Sequence, residues 1–412
     1  MLFSSMTFLF VFMPLVITVY GLSKKEIRNY VLLVASIVFY AWGEPRYLAI
    51  MIITILVNYV GAIEMARFAN RKKRKLILAA TILTDLGFLI YFKYFNFMVE
   101  NLNNWLELEF DYIDVIMPIG ISFYTFQAMS YLIDVYRREV KAQKDIYKLA
   151  LYIVLFPQLV AGPIVKYHDV CDQIDSRKVE FKNVIIGFKR FIMGLAKKVL
   201  LANTLAVVAD KVFAQDTELL SQGIAWIGAV AYMLQLYYDF SGYSDMAIGL
   251  GLMFGFKFME NFNYPYISKS ISEFWTRWHI SLSTWFKQYL YFPLGGNRKG
   301  KFRTYINLVI VFLATGIWHG AAWTYFAWGV WNAVFIVEKA LGWGKDTLQT
   351  WYGKALRHIY ALFAVGLGMI IFRAPSVDYA SEFIQVMFGL IDNHNLPKYD
   401  YGLNYKFLLA AL

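Results

Sequence analysis

Apolar runs recur along this chain from its first residue almost to its last, near residues 1–20, 30–43, 47–66, 76–97, 115–135, 148–165, 184–210, 223–256, 304–339 and 356–372. About 20 apolar residues is the length that crosses the hydrocarbon core of a bilayer as a helix. Inside lipid each backbone N–H and C=O must find its partner within the chain, so runs of this length point to helices. The expected fold class is all-α: a single polytopic membrane domain over residues 1–412, with about ten to twelve transmembrane or re-entrant helices. The runs 223–256 and 304–339 are long enough to bend, break or pass twice. Composition agrees, with 59% hydrophobic and 17% charged side chains, a membrane protein's balance.

The first run, "MLFSSMTFLFVFMPLVITVY", has no basic leader and no small-residue cleavage site, and reads as a retained first helix. Cys171 is the single cysteine, which excludes an intramolecular disulfide and a thiolate cage; with His168 three residues before it, two ligands are too few for a closed zinc site. The net charge of +11 sits in short loops between apolar runs. That pattern sets topology and gives no groove for nucleic acid. Loops 23–28, 67–76 and 136–144 are basic, whereas 100–114 is acidic and holds no Lys or Arg. The basic loops are therefore expected on the cytoplasmic side, with the amino terminus outside. The basic stretch 295–303 reads as cytoplasmic too. Lys189, Arg190, Lys197 and Lys198 lie about two turns apart, roughly on one face, a pattern that fits a helix lying among headgroups as well as a span.

A titratable side chain inside an apolar run is costly and needs a reason to be there. His319, in "TGIWHGAAWTYFAWGVW", lies about 16 residues beyond Arg303, roughly 24 Å along a continuous helix. Two readings stand side by side. It is a buried neutral histidine stapling helices, or, with Gly320, Ala321 and Ala322 allowing close approach and Trp318, Trp323 and Trp328 walling a dry cavity, it is a general base. The segment 270–296 is too polar to face lipid all round and reads as broken or re-entrant. Its Arg277 and His279 either bind and orient an anionic substrate or belong to an interior network with Glu273. In 235–256, "DFSGYSD" looks like a helix break, with Asp239, Ser241, Ser244 and Asp245 near a cavity or around a cation. Pro157 marks a kink, and Gln127 is expected to bond another helix. His168, His358 and His394 are left without roles.

Taken together and in order, "PIGISFYTFQ", "FPQLVAGPI", "YYDFSGYSDMAIG", "NFNYPY", "FWTRWHISLSTWF", "YFPLGGNRKG" and "GIWHGAAW" closely resemble the membrane-bound O-acyltransferase family. The likeness is to its bacterial branch of alginate O-acetylation proteins, and it is densest over 118–332, where the catalytic core is expected. It implies a central tunnel across the membrane, reached by the acyl donor from the cytoplasm and by the acceptor hydroxyl from the opposite face. His319 in "WHG" matches the family's catalytic histidine, and His279 in "RWHISLS" its second active-site position. Arg277, Trp278, Trp318, Asp239, Ser241 and Asn263 are expected to contact substrate.

The function so implied is transfer of acetyl from a cytoplasmic thioester, most simply acetyl-CoA, for O-acetylation of an extracellular or cell-envelope polysaccharide. A partner acetyltransferase on the exoplasmic side is expected, in a bacterial inner (cytoplasmic) membrane, with no bound cofactor and no metal. Four alternatives remain open: D-alanyl transfer from a carrier-protein thioester in teichoic acid modification, a lipid acyltransferase with a long-chain donor, transport of an anionic substrate past Arg277 and His279, and a noncatalytic assembly scaffold. The chain stops in "YKFLLAAL", eight residues into another apolar segment, and the resemblance implies a final helix after Leu412, because polysaccharide-acetylating relatives usually continue there.

Overall fold

The computed structural model describes residues 1–336, 350–391 and 399–411 in full and the backbone of 337–340; His394 lies outside the described residues. Every regular element among the described residues is a helix. Five helices are long and apolar enough to cross a membrane: Pro45–Arg67, Arg71–Leu106, Phe181–Phe213, Lys301–His319 and Trp351–Arg373, with Phe8–Leu22 apolar but shorter. Other apolar runs fold into shorter pieces. The run 148–165 is a helix only from Ile146 to Val154, followed by the single turn Phe156–Leu159. Pro157, lacking an N–H, sits in the first turn of that piece, where it is tolerated, and the chain changes direction just ahead of it.

The chain divides into two compact units, residues 1–195 with 243–259, and residues 196–242 with 260–412. In the first unit, a cluster of buried rings that includes Phe8, Phe12, Phe39 and Phe156 forms the core, with Phe12 and Phe156 edge to face at 5.4 Å. Asn58 donates to the Asp85 carboxylate at 2.9 Å, joining Leu48–Arg67 to Arg71–Leu89. Gly187 and Gly249 allow two backbones to touch, since a Cβ on either would lie 2.5 Å from the other's carbonyl oxygen. Gln127 is fully buried, but its link to another helix runs through its backbone: the Tyr152 hydroxyl donates to the Gln127 carbonyl at 3.2 Å, and the side-chain amide has no hydrogen-bond partner. The expected helix-to-helix bond is thus made by the peptide group.

"DFSGYSD" is not a break. Gln222–Met253 is a continuous helix of 32 residues. One interior glycine costs a helix only about 1 kcal/mol, and cations meet both aspartates: Asp239 pairs with Lys198, and Asp245 accepts from Arg190 at 2.8 Å. These cations lie along Phe181–Phe213, whose length and hydropathy are those of a span. Arg190 and Lys198 thus meet carboxylates, and among the described residues no metal-holding group of side chains forms around the two aspartates.

In the second unit the run 304–339 breaks into Lys301–His319 and Trp323–Ala340. The two helices approach closely at Gly316 and Gly329, where a Cβ would lie 2.4 Å from the Tyr325 carbonyl oxygen and 2.9 Å from that of Phe312. Trp331 donates to the Ala364 carbonyl at 2.8 Å, fastening the second helix to Trp351–Arg373. The segment 270–296 is broken too, into Ile271–Arg277 and Ile280–Phe286, which continues through a wider turn over Lys287–Tyr291.

Candidate active site

The break at 278–279 places the first histidine. Ser270 caps Ile271–Arg277 by accepting the Glu273 N–H at 3.1 Å, while the Glu273 carboxylate reaches back to the Lys269 N–H at 2.9 Å. This is a close variant of the reciprocal capping box. The same carboxylate holds Arg277 one turn on, at 3.0 Å. Partial burial pushes the Glu273 carboxyl up, but the bonds from Lys269 and Arg277 outweigh it and hold it below the ordinary value. At the far end the chain reverses with His279 in the left-handed region, φ 47° and ψ 53°, which costs a residue bearing a Cβ about 1–2 kcal/mol.

That turn is held by the segment "NFNYPY". The Asn263 N–H donates to the Arg277 carbonyl and the Ile280 N–H to the Asn261 carbonyl, both at 2.9 Å. Arg277 in turn donates to the Asn263 carbonyl at 3.1 Å. The Asn261 side-chain oxygen lies 3.2 Å from His279 Nδ1. His279 is only 3% exposed, with the Phe240 ring edge-on at 4.7 Å and Trp318 at 6.1 Å.

His319 is placed differently, as the last residue of Lys301–His319. The helix stops because Gly320 is extended, and only glycine fits there: a Cβ would lie 2.1 Å from the Tyr325 ring. The imidazole is half-buried among aromatic rings, with Trp318, Trp328 and Phe372 centred 5.0, 5.3 and 5.0 Å away.

Both histidines line one cavity of about 280 Å³. Its walls are mostly apolar, including Trp275, Trp278, Leu282, Phe286 and Phe312, and its polar lining comes from Thr276, Ser283, Lys287, Tyr291 and Thr315. A small, mostly apolar pocket with a few polar groups is the usual form of a small-molecule site. An imidazole lining such a pocket can take up and return a proton.

Of the residues expected from sequence, His279, His319 and Trp278 meet at this cavity, and Trp318 packs against both imidazoles. Arg277 stands beside it, committed to Glu273 and to the Asn263 carbonyl. Asn263 acts through its backbone. Asp239 pairs with Lys198, and Ser241 is buried with no hydrogen-bond partner for its hydroxyl. Among the histidines without assigned roles, His168 Nδ1 lies 2.8 Å from the Asp169 carboxylate and His358 Nδ1 lies 2.9 Å from the Ser268 carbonyl. Asn261, Thr315 and Phe372 do not stand out in the sequence, and Lys287 does so only as one of the charges that make 270–296 too polar to face lipid. "NFNYPY" offers two asparagines one residue apart, and nothing local says which of them faces the imidazole.

The sequence profile of the membrane-bound O-acyltransferase family matches residues 137–370. A protein of Pseudomonas putida described as a probable alginate O-acetylase is 46% identical over 400 residues, 95% of this chain and 81% of that one. The peptidoglycan O-acetyltransferase of Helicobacter pylori is 33% identical over 423 residues, covering 95% and 80%. The teichoic acid D-alanyltransferase of Bacillus subtilis is 30% identical over 242 residues, covering 54% and 59%.

Proposed function

Because the chain belongs to the membrane-bound O-acyltransferase family, we propose that it moves acetyl from a cytoplasmic thioester, acetyl-CoA, to a hydroxyl presented from the exoplasmic side. It is a multi-pass membrane O-acyltransferase. The observation that carries the finer reading is the pair of histidines on one small cavity. About 280 Å³ is near the lower end of ligand pockets, ~300–1,000 Å³. It suits a thioester head with a short acyl group and has little room for a long chain.

In this reading His319 removes the acceptor hydroxyl's proton as that oxygen attacks the thioester carbonyl. A C–O bond forms, the tetrahedral intermediate collapses, the C–S bond breaks, and the departing thiolate takes the proton back from the imidazolium. His279 and Trp278 hold the reacting groups. Arg277 acts by fixing the turn that carries His279. The acceptor is a hydroxyl of a cell-envelope or extracellular polysaccharide system, reached through a partner acetyltransferase, and the membrane is the bacterial cytoplasmic one. The Pseudomonas putida and Helicobacter pylori relatives named for O-acetylation are 46% and 33% identical over 95% of this chain, against 30% over 54% and 26% over 72% for the D-alanyl-transferring relatives of Bacillus subtilis and Streptococcus thermophilus, which favours acetyl over D-alanyl.

The test is to load liposomes containing the protein with thioesters carrying label in the acyl group. Transfer or hydrolysis of label from acetyl-CoA is the expected result. Label moving only from a D-alanyl carrier-protein thioester would overturn the choice of donor.

A further inference from the structure

Resting on the acyl-transfer reading, we propose that Asn261 is a positioning residue that holds the His279 imidazole in the tautomer protonated at Nδ1, leaving Nε2 as the hydrogen-bond acceptor with which His279 orients the reacting groups. Asn261 is fully buried, and its side-chain oxygen meets three groups: the Ser281 N–H at 3.2 Å, the Ser281 hydroxyl at 2.9 Å and His279 Nδ1 at 3.2 Å. The Ser281 N–H can only donate, so the atom facing it is the amide oxygen and not the amide nitrogen. That oxygen can only accept, so Nδ1 must carry a proton. Neutral imidazole has a single N–H, and Nε2 is therefore the acceptor. Ser281 Oγ, 3.5 Å from Nδ1, donates to Asn261 and keeps lone pairs for the same ring proton.

Two further observations separate this role from simple packing. The Asn261 backbone carbonyl accepts the Ile280 N–H at 2.9 Å, so one residue grips the chain on the far side of His279 with its main chain and the ring with its side chain. It holds a backbone conformation that is costly on its own. The Asn261 amide nitrogen, meanwhile, is buried with no hydrogen-bond partner, an arrangement that costs stability. Here the oxygen serves three donors, one of which is the ring nitrogen that sets the tautomer.

The sequence has five histidines, few enough for ¹⁵N-histidine labelling of the full-length protein in nanodiscs, with His279 assigned by the signals lost in His279→Gln. In the wild type the expected pattern is a protonated Nδ1 and an unprotonated Nε2 at His279; the opposite tautomer overturns the proposal without any Asn261 variant. Asn261→Leu removes the acceptor, and should shift that pattern and lower kcat by about 10–100-fold with KM for the thioester within about twofold. Asn261→Asp, which restores an acceptor oxygen, should recover about tenfold of that loss. An unchanged tautomer in Asn261→Leu, or a changed one with unchanged kcat, overturns the role. A wild type that transfers no acyl group overturns the acyl-transfer reading instead, while the nitrogen signals still decide what Asn261 does.

Discussion

The two histidines reach the same cavity by opposite routes. His279 sits at a break between short helices, in a left-handed conformation, with its Nδ1 facing a buried asparagine. His319 ends a helix of 19 residues and is walled by three aromatic rings. One ring is fixed by hydrogen bonds on a strained turn. The other is placed by packing at a helix end and is the more exposed of the two. In the proposed transfer that contrast assigns a division of labour: the fixed ring would orient, and the ring with room beside it would move the proton.

The largest expected effect breaks the proton-moving side. His319→Gln keeps the size and polarity of the side chain but has no basic nitrogen, and should lower turnover by about 10²–10⁴-fold with the protein still folded. Transfer at the wild-type rate would remove His319 from the chemistry. His279→Ala should cost less, about 10–100-fold, because it loosens orientation and leaves the base in place. A loss larger than that of His319→Gln would reverse the roles given to the two rings.

Gly320→Ala attacks the packing that sets His319. Its Cβ would lie 2.1 Å from the Tyr325 ring, so either that ring or the helix end must shift, at a cost of about 1–3 kcal/mol. A lowered Tm together with reduced transfer is expected, and an unchanged Tm would show that the close approach matters little. The smallest effect belongs to Arg277→Lys. Its pair with Glu273 is half-exposed and worth at most about 1 kcal/mol, so KM for the thioester should stay within about threefold. A KM raised tenfold or more would mean that Arg277 binds the donor directly.

Much of this fold is legible in the sequence, because apolar length and helix formation are linked by the absence of water in a bilayer. The break at 278–279 is also legible, since polar residues interrupt that segment, and 304–339 is long enough to pass twice, but nothing in "HGAA", with two good helix formers, marks Gly320 as the stop. The continuity of Gln222–Met253 through "DFSGYSD" is not. Local signals there favour a turn, and the helix persists in the company of Lys198 and Arg190, residues about 40 and 55 positions away in the chain. A long-range ion pair leaves no trace in local propensity. The same limit applies at the site. His279 and His319 stand out as titratable groups in apolar surroundings, whereas Asn261 is one polar residue among many until the fold brings its oxygen to Nδ1. The left-handed φ of His279 is equally silent, since nothing in its side chain calls for it.

The proposed transfer requires both histidines to act together at the one cavity they line. A single-turnover double-mutant cycle in liposomes tests it most directly, comparing wild type, His319→Gln, His279→Ala and the double variant with labelled acetyl-CoA. Residues that act as a unit are strongly non-additive, so the double variant should fall within about threefold of His319→Gln alone. Losses that multiply in full would mean two independent sites, and would contradict the shared role.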